Sequence, residues 1–317
     1  MYDVVALGEL LIDFTPSGSS PNGNRLFEQN PGGAPANVLA CLANLGKKTG
    51  FIGKVGDDEF GNYLMRVLRN HHIGMEGLFV DDKVNTTLAF VHLKENGDRS
   101  FSFYRNPGAD TCLRPEEITE ELLQTKIFHF GSLSLTDEPA RSATLYALRL
   151  AEENKAFISY DPNWRPPLWP SLPEAKKQIL QVMRMVDLLK ISGEEMMFLV
   201  GTDDCLEGTS QLYDQFGLQA ILVSLGANGC FYRVGEITGH VPGYAVKTID
   251  TTGAGDGFLG GVLFQLLERG TDLSQWTRSD VEDSIRFANA IGALVTTKRG
   301  AIPAMPSMGQ ISRLMGP

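Results

Sequence analysis

The stretch Ile249-Asp250-Thr251-Thr252-Gly253-Ala254-Gly255-Asp256-Gly257-Phe258 places small residues and two carboxylates between a short β-branched run and a long apolar helical pattern. Small side chains let backbone N–H groups converge on a ligand. At a helix start those N–H groups have no intrahelical acceptor and favour an anion. The pattern therefore predicts a strand (246–249), a phosphate-binding turn and a helix, with Asp256 beside the phosphate to accept a proton.

Two other interpretations of this stretch are disfavoured. A merely structural turn would not need two Asp and two Thr before an unbroken helix. Residues 255–260 also fit the G-x-G-x-x-G pattern of dinucleotide sites, which needs a strand directly before it and an acid about 20 positions later at the end of a second strand. Asp280 is at that distance but lies in a polar segment typical of a helix start. Asp256 would also oppose the pyrophosphate, so an NAD-dependent oxidoreductase is not favoured.

Composition limits the class of protein. The 317 residues are 43% hydrophobic and 21% charged, which is typical of a globular protein. A formal net charge of −10 argues against a nucleic-acid partner, which usually needs a basic domain. The four cysteines form no C-x-x-C pair and indicate reduced thiols. We find no signal-peptide pattern and no apolar run of about 18 residues, so we expect a cytoplasmic protein without a membrane partner.

Strand patterns alternate with helical patterns along the chain, including a predicted helix at residues 115–124. This alternation predicts a mostly parallel sheet with helices on both faces. Ligands of such sheets bind outside the carboxyl ends of the strands. Polar residues that follow predicted strands should therefore meet at one edge: Asp13, Asp161, Ser192, Ser224 and Asp250.

Residues 86–105 form the clearest predicted hairpin, because Asn96-Gly97 is a strong two-residue turn signal. The strand period places Phe101, Phe103 and Arg105 on one face. Arg105 could be an edge charge packed on the rings or a clamp for the substrate. The hairpin interrupts the strand–helix alternation, so we expect it to act as a lid.

The motifs of several catalytic classes are missing. The sequence contains no G-x-x-x-x-G-K-[ST], H-E-x-x-H or G-x-S-x-G motif and no metal-binding Cys/His spacing. The sequence does contain an anion-binding turn, an adjacent Asp, further acids at strand ends and the hairpin expected to act as a lid. These features favour phosphoryl transfer to a hydroxyl, which depends mainly on positioning and electrostatic stabilisation.

Two motifs carry a family resemblance: Gly32-Gly33-Ala34-Pro35-Ala36-Asn37 and Asp250-Thr251-Thr252-Gly253-Ala254-Gly255-Asp256. With them the chain resembles the ribokinase-like (PfkB) carbohydrate kinases over nearly its whole length. A narrower similarity to the fructokinases depends on residues 8–14, 53–61, 103–110 and 161–169. The resemblance implies a three-layer α/β/α sandwich with a mostly parallel sheet, a single domain over residues 1–317, and a β-sheet lid formed by about 14–31 and 85–108.

The resemblance also implies roles for individual residues. Asp256 would be the catalytic base, and Gly253, Ala254 and Gly255 would form the anion hole. The implied sugar-binding positions are Asp13, Gly32, Gly33, Asn37, Phe103, Arg105, Arg165 and Asp256. The implied nucleotide-binding positions are Ser192, Glu195, Ser224, Gly226, Gly229, Gly253, Gly255 and Asn289. Ser192 stands where the family pattern has Asn.

Cofactors and substrates follow from the same resemblance. ATP and Mg²⁺ are implied, with Glu195 acting on Mg²⁺ through water. A monovalent cation, K⁺, would be held by Asp250, Thr252, Val295, Lys298 and Gly300. The implied reaction is phosphorylation of the terminal hydroxyl of D-fructose, giving fructose 6-phosphate and ADP. The alternatives are a kinase for 2-keto-3-deoxygluconate or for a nucleoside such as aminoimidazole riboside. A non-catalytic sugar sensor is disfavoured because Asp256 and the glycine turn are intact, and a homodimer through the lid is expected.

Overall fold

The computed structural model describes residues 1–93 and 99–316. Its strands are β1 (Val4–Leu7), β2 (Leu11–Ser19), β3 (Arg25–Gly32), β4 (Thr49–Gly56), β5 (Gly74–Asp81), β6 (Leu88–Leu93), β7 (Arg99–Tyr104), β8 (Ile127–Gly131), β9 (Phe157–Asp161), β10 (Leu188–Ser192), β11 (Ala220–Ser224), β12 (Cys230–Val234) and β13 (Ile237–Val241). Its helices are α1 (Ala34–Asn44), α2 (Glu59–Asn70), α3 (Glu120–Leu123), α4 (Ala140–Glu153), α5 (Leu172–Gln181), α6 (Gly193–Val200), α7 (Cys205–Phe216), α8 (Ala254–Arg269), α9 (Arg278–Val295) and α10 (Met308–Met315).

The large sheet has nine strands in the order β13-β12-β11-β10-β9-β8-β1-β4-β5. It is parallel from β5 to β11, whereas β12 and β13 pair antiparallel at one edge. Its side chains alternate between two cores: Val4 and Ala6 pack with α1, α8 and α9, whereas Val5 and Leu7 pack with α4 to α7. The expected three-layer α/β/α arrangement is therefore confirmed.

A second sheet has four strands in the order β3-β2-β6-β7. The predicted hairpin is present, because β6 and β7 pair antiparallel, with Leu93 opposite Arg99. Its predicted Asn96-Gly97 turn lies outside the described residues. β2 joins this hairpin through a parallel pairing with β6. The second sheet is the small sheet expected beside the main one, and its action as a lid stays a prediction.

Four local predictions were wrong. Asp13 lies within β2 of the second sheet, not after a strand of the large sheet. Residues 246–249 form no strand, because Ile249 N and Asp250 N both donate to Thr296 O, at 2.7 and 3.1 Å, and hold this segment against the end of α9.

The other two errors concern a helix and a strand end. The helix predicted at 115–124 is a short 3₁₀ turn, Pro115–Glu117, followed by α3. The predicted helix is interrupted because Ile118 and Thr119, between the 3₁₀ turn and α3, both have extended backbone conformations. Arg105 lies beyond the end of β7, so strand alternation does not place it on a face with Phe103.

Within residues 1–93 and 99–316, no helix combines the length and the apolar character that crossing a membrane requires.

Candidate active site

The glycine turn before α8 has the geometry of an anion site. Gly253 has a φ of +76°, and a Cβ on it would lie 2.5 Å from the Ala301 side chain, so glycine is required by both conformation and space. Ala254 N donates to Thr251 O at 3.3 Å and Gly257 N to Gly253 O at 2.8 Å. The N–H groups of Gly255 and Asp256 lie between them in the first turn, where helical N–H groups have no intrahelical acceptor. This turn can therefore hold a negatively charged oxygen.

Asp256 lies in this first turn and is buried between α8 and α1. Asn37 Nδ2, from α1, donates to Asp256 Oδ2 at 2.7 Å. Burial and the nearby Asp161 carboxylate raise the pKa of Asp256 to about 6, although Asn37, Lys190 and Arg165 act in the opposite direction. Its carboxylate is more basic than an ordinary aspartate and is suited to accepting a proton near neutral pH.

Asp13 reaches the same site from the second sheet. A Cβ on Gly32 would lie 2.3 Å from Asp13 Oδ2, so Gly32 makes the space that this carboxylate occupies. Burial raises the pKa of Asp13 to about 7; the Arg165 guanidinium lowers it and the Asp256 and Asp250 carboxylates raise it further. The structure thus brings the predicted sugar-binding side chains of Asp13, Asn37 and Arg165 together around Asp256.

Two other predicted sugar-site residues, Gly33 and Phe103, lie directly after β3 and within β7. Gly33 has a φ of +115° and precedes α1, and a Cβ on it would lie 2.3 Å from Glu9 O. Phe103 is half-buried in β7 opposite Ala89.

The Arg105 guanidinium donates hydrogen bonds to three other residues of the protein. Its Nε donates to Asp110 Oδ2 at 2.7 Å, Nη1 to Thr136 Oγ1 at 2.8 Å and Nη2 to Leu133 O at 2.9 Å. Its side chain is only 2% exposed. This arrangement favours a structural role over the substrate clamp that the sequence suggested.

The predicted nucleotide side begins at the carboxyl ends of β10 and β11, where Ser192 and Ser224 are paired. Ser192 caps α6: its Oγ accepts from Glu195 N at 3.1 Å, and Glu195 Oε2 accepts from Ser192 N at 2.7 Å. Glu195 Oε1 accepts from Trp164 N at 2.7 Å, which fixes the carboxylate between two backbone segments. Ser224 Oγ donates to Ile191 O at 3.2 Å.

Gly226, Gly229 and Asn289 shape the backbone next to these strands. Gly226 and Gly229 have φ values of +58° and +92°, and a Cβ on Gly229 would lie 2.1 Å from Val241 O. Asn289 Nδ2 donates to Val241 O at 3.1 Å and to Pro242 O at 3.0 Å. Asn289 therefore anchors the chain that leaves β13.

The predicted cation loop is formed by two adjacent segments. Asp250 Oδ1 accepts from Thr252 N at 3.0 Å and from Thr252 Oγ1 at 2.7 Å, and Oδ2 accepts from Gly300 N at 3.1 Å. Lys298 N donates to Val295 O at 3.3 Å. Asp250 thus ties the segment before the anion turn to the loop after α9.

Lys190 was missed at the level of sequence. It lies in β10, and its Nζ forms a buried ion pair with Asp161 Oδ2 at 2.8 Å. A Cβ on Gly255 would lie 3.0 Å from the same Nζ, so this cation faces the anion turn. Burial opposes its charge, but Asp161 and Glu195 outweigh that effect and the pKa of Lys190 is raised. The available signal was a lysine within the apolar run Leu188–Ile191, where a charge needs a partner.

The acids around Lys190 limit how a metal ion could bind. Burial and Asp161 raise the pKa of Glu195, and the same two causes raise that of Asp256, so negative charge is concentrated here. Across the described ranges, no group of three or more His, Cys, Asp or Glu side chains is arranged to hold a metal ion. This donor set fits Mg²⁺ held mainly by substrate phosphates and water, with a carboxylate acting through that water.

Comparison with known proteins agrees with this geometry. Residues 1–308 match the model of the pfkB family carbohydrate kinases. The chain is 44% identical over 315 residues to a protein named probable fructokinase-4 from Arabidopsis thaliana, covering 98% of this chain and 96% of the relative. A fructokinase structure from Xylella fastidiosa with bound ATP has a TM-score of 0.91 and 32% identity, covering 99% and 98% of the two chains. A double-mutant fructokinase from Vibrio cholerae O395, in a fructose, ADP and potassium ion bound form, has a TM-score of 0.89 and 32% identity over 99% of both chains.

Proposed function

The chain belongs to the pfkB family of carbohydrate kinases, and we propose that it transfers the terminal phosphoryl group of ATP to the terminal hydroxyl of D-fructose, giving fructose 6-phosphate and ADP. The observation that carries this proposal is the position of Asp256, in the first turn of α8 at the anion site and 2.7 Å from Asn37. The names of the similar proteins support fructose as the acceptor.

The residues divide the chemistry between them. Asp13 and Asn37 would hold sugar hydroxyls and present the reacting one to Asp256. Asp256 accepts its proton as the hydroxyl oxygen bonds to the terminal phosphorus of ATP and the bond from that phosphorus to ADP breaks. The N–H groups of the 253–255 turn and the Lys190 ammonium would stabilise the charge on the transferred group. Arg165, whose charge lowers the pKa of both Asp13 and Asp256, helps to keep these carboxylates ionised. Bound Mg²⁺ would neutralise phosphate charge, and Glu195 would act on it through water.

A substrate screen tests the acceptor. We expect fructose to give the highest kcat/KM when ADP release is followed with fructose, ribose, 2-keto-3-deoxygluconate and aminoimidazole riboside. Phosphorus–proton NMR of the product should show the new ester on the terminal carbon. Faster turnover of 2-keto-3-deoxygluconate or aminoimidazole riboside would replace the fructose proposal with one of the alternatives.

We also propose that K⁺ occupies the loop formed by Asp250, Thr252, Val295, Lys298 and Gly300. Asp250 supports this because it joins both segments of the loop directly before the anion turn. We expect a higher kcat in K⁺ than in Na⁺ or choline at equal ionic strength, and loss of that difference in Asp250→Asn. Equal rates in the three salts would contradict the proposal.

We further propose that the protein is cytoplasmic and has no nucleic-acid partner. We also propose that the second sheet closes as a lid and that the protein forms a homodimer through that sheet. Leu26 and Tyr104 support the dimer, because these large side chains of the second sheet are 45% and 65% exposed.

A further inference from the structure

The second sheet is joined to the rest of the protein at four chain crossings. Residues 8–10 lead into β2 and Gly33 leads out of β3, while residues 82–87 lead into β6 and residues 105–108 lead out of β7. The proposed reaction depends on these crossings, because Asp13 belongs to the second sheet whereas Asp256 belongs to α8.

One buried carboxylate links the first two crossings. Glu9, two residues before the start of β2, is 3% exposed, and its Oε1 accepts from Ala34 N, directly after the β3 crossing, at 2.8 Å. Glycine at position 33 is needed for this contact, because a Cβ there would lie 2.3 Å from Glu9 O. The entry to β2 and the exit from β3 are therefore held against each other.

A second buried carboxylate links the other two crossings. Thr87, directly before β6, donates from its Oγ1 to Asp110 Oδ1. Arg105, directly after β7, contacts Asp110 Oδ2 through both Nε and Nη2, at 2.7 Å each. The side chains of Arg105 and Asp110 are each 2% exposed. Through Thr136 Oγ1 and Leu133 O, Arg105 also fastens this pair to the segment after β8.

The two carboxylates belong to one cluster. Ile12 N donates to Thr87 O at 3.2 Å, which joins the β2 crossing to the β6 crossing one residue before Asp13. The charges of Asp110 and Arg105 both act on Glu9, the first raising its pKa and the second lowering it. Glu9 therefore links two of the crossings and the Arg105–Asp110 pair links the other two, and the charges of the two linkages act on each other.

We propose that Glu9, Arg105 and Asp110 are positioning residues that fix the second sheet, and with it Asp13, at the distance from Asp256 that sugar binding requires. This proposal rests on the proposed function, because the distance between Asp13 and Asp256 matters only if both act on one bound sugar. Arg105 acts through the protein and not on the sugar, because its Nε, Nη1 and Nη2 all donate to protein acceptors. Partial loosening of the cluster should weaken the grip on the sugar and leave the nucleotide side, formed by β10 and β11, unchanged.

The test uses Asp110→Asn, which keeps the side-chain shape and removes the charge that holds Arg105. We expect the KM for fructose to rise about tenfold and the KM for ATP to stay within about twofold, as for one weakened buried charged hydrogen bond. In the ligand-free protein, we expect the backbone amides of residues 11–15 and 88–92 to exchange hydrogen about tenfold faster. Thr87→Val removes only the hydroxyl that holds the β6 crossing, and should show the same pattern with smaller changes.

Asp187→Asn is the matched control. Asp187 directly precedes β10, and its carboxylate accepts from Ile158 N at 2.7 Å and from Gln219 Nε2 at 2.6 Å. The change therefore removes the same charge from a hydrogen-bonded carboxylate, but at the amino ends of β9 to β11 and not at the four crossings. The proposal is overturned if Asp110→Asn, or Thr87→Val should Asp110→Asn not fold, changes the fructose KM and the exchange rates no more than Asp187→Asn. The exchange measurement needs no sugar, so it decides the role of the cluster even if the wild-type protein proves to phosphorylate a different acceptor.

Discussion

Asp256→Asn is expected to lower kcat by about 10²–10⁴-fold, the usual contribution of a positioned general base. Asparagine keeps the size of the side chain and an oxygen that can accept from Asn37 Nδ2, but it cannot take the proton of the sugar hydroxyl. The KM values for ATP and fructose should therefore change little. Steady-state kinetics with both substrates measure this, and a kcat near that of the wild type would show that another group is the base.

Thermal unfolding separates lost chemistry from lost structure in this variant. The folded-state pKa of Asp256 is raised to about 6, so the ionised carboxylate is less favourable in the folded than in the unfolded protein. Its effect on stability is therefore absent well below pH 4 and becomes destabilising as the pH rises from about 4 to 6. At pH 7 to 8, Asp256→Asn should melt at the same temperature as the wild type or higher. A lower melting temperature would mean that the loss of activity reflects damage to the site.

The pH dependence of the wild type gives an independent check. Asp256 must be ionised to accept a proton, so kcat/KM for fructose should fall as the pH drops through about 6 to 7. This range belongs to Asp256 and Asp13 together, because the pKa of Asp13 is raised to about 7 and the Asp256 charge contributes to that rise. In Asp256→Asn, the residual rate should no longer follow ionisation of Asp256.

Local signals explain why the anion turn could be predicted from sequence. Helix starts depend on a few consecutive residues, and the glycines of 253–257 and the apolar positions of α8 are all visible in one stretch. The alternation of strand and helix patterns likewise predicted the layered fold correctly. Predictions that used local propensity alone were wrong where a distant group competed. Residues 246–249 have β-branched side chains, yet Thr296 O at the end of α9 takes the N–H groups of Ile249 and Asp250.

The partners of buried charged side chains are a second feature that could not be predicted from the sequence. Arg105 looked like a free clamp because its partners, Asp110 and Thr136, are indistinguishable from surface residues in the sequence alone. Lys190 gave a clearer signal, a lysine inside an apolar strand, but its partner Asp161 is on the neighbouring strand 29 positions earlier. A charge in a core must be paired, and only the register of the sheet shows which group does the pairing.

Lys190→Met is expected to reduce kcat/KM for ATP by about 10²–10³-fold, comparable to the loss of one preorganised donor at a developing charge. Methionine retains the apolar stem of the side chain but removes the ammonium group that faces Gly255. The same change leaves Asp161 buried without its cation, which should lower the free energy of unfolding by about 3–5 kcal/mol. Reduced activity of this variant alone therefore has two possible causes, a lost phosphate contact or a weakened core.

The double variant Lys190→Met/Asp161→Asn separates these causes. It removes the whole ion pair and leaves two neutral side chains, and replacing both partners of a buried pair is often neutral for stability. We expect urea unfolding to show most of the lost stability recovered, while kcat/KM for ATP stays low because the Lys190 ammonium no longer faces the anion turn. If activity returns together with stability, Lys190 serves only to neutralise Asp161. If stability returns alone, the Lys190 ammonium supplies positive charge that the glycine turn needs during phosphoryl transfer.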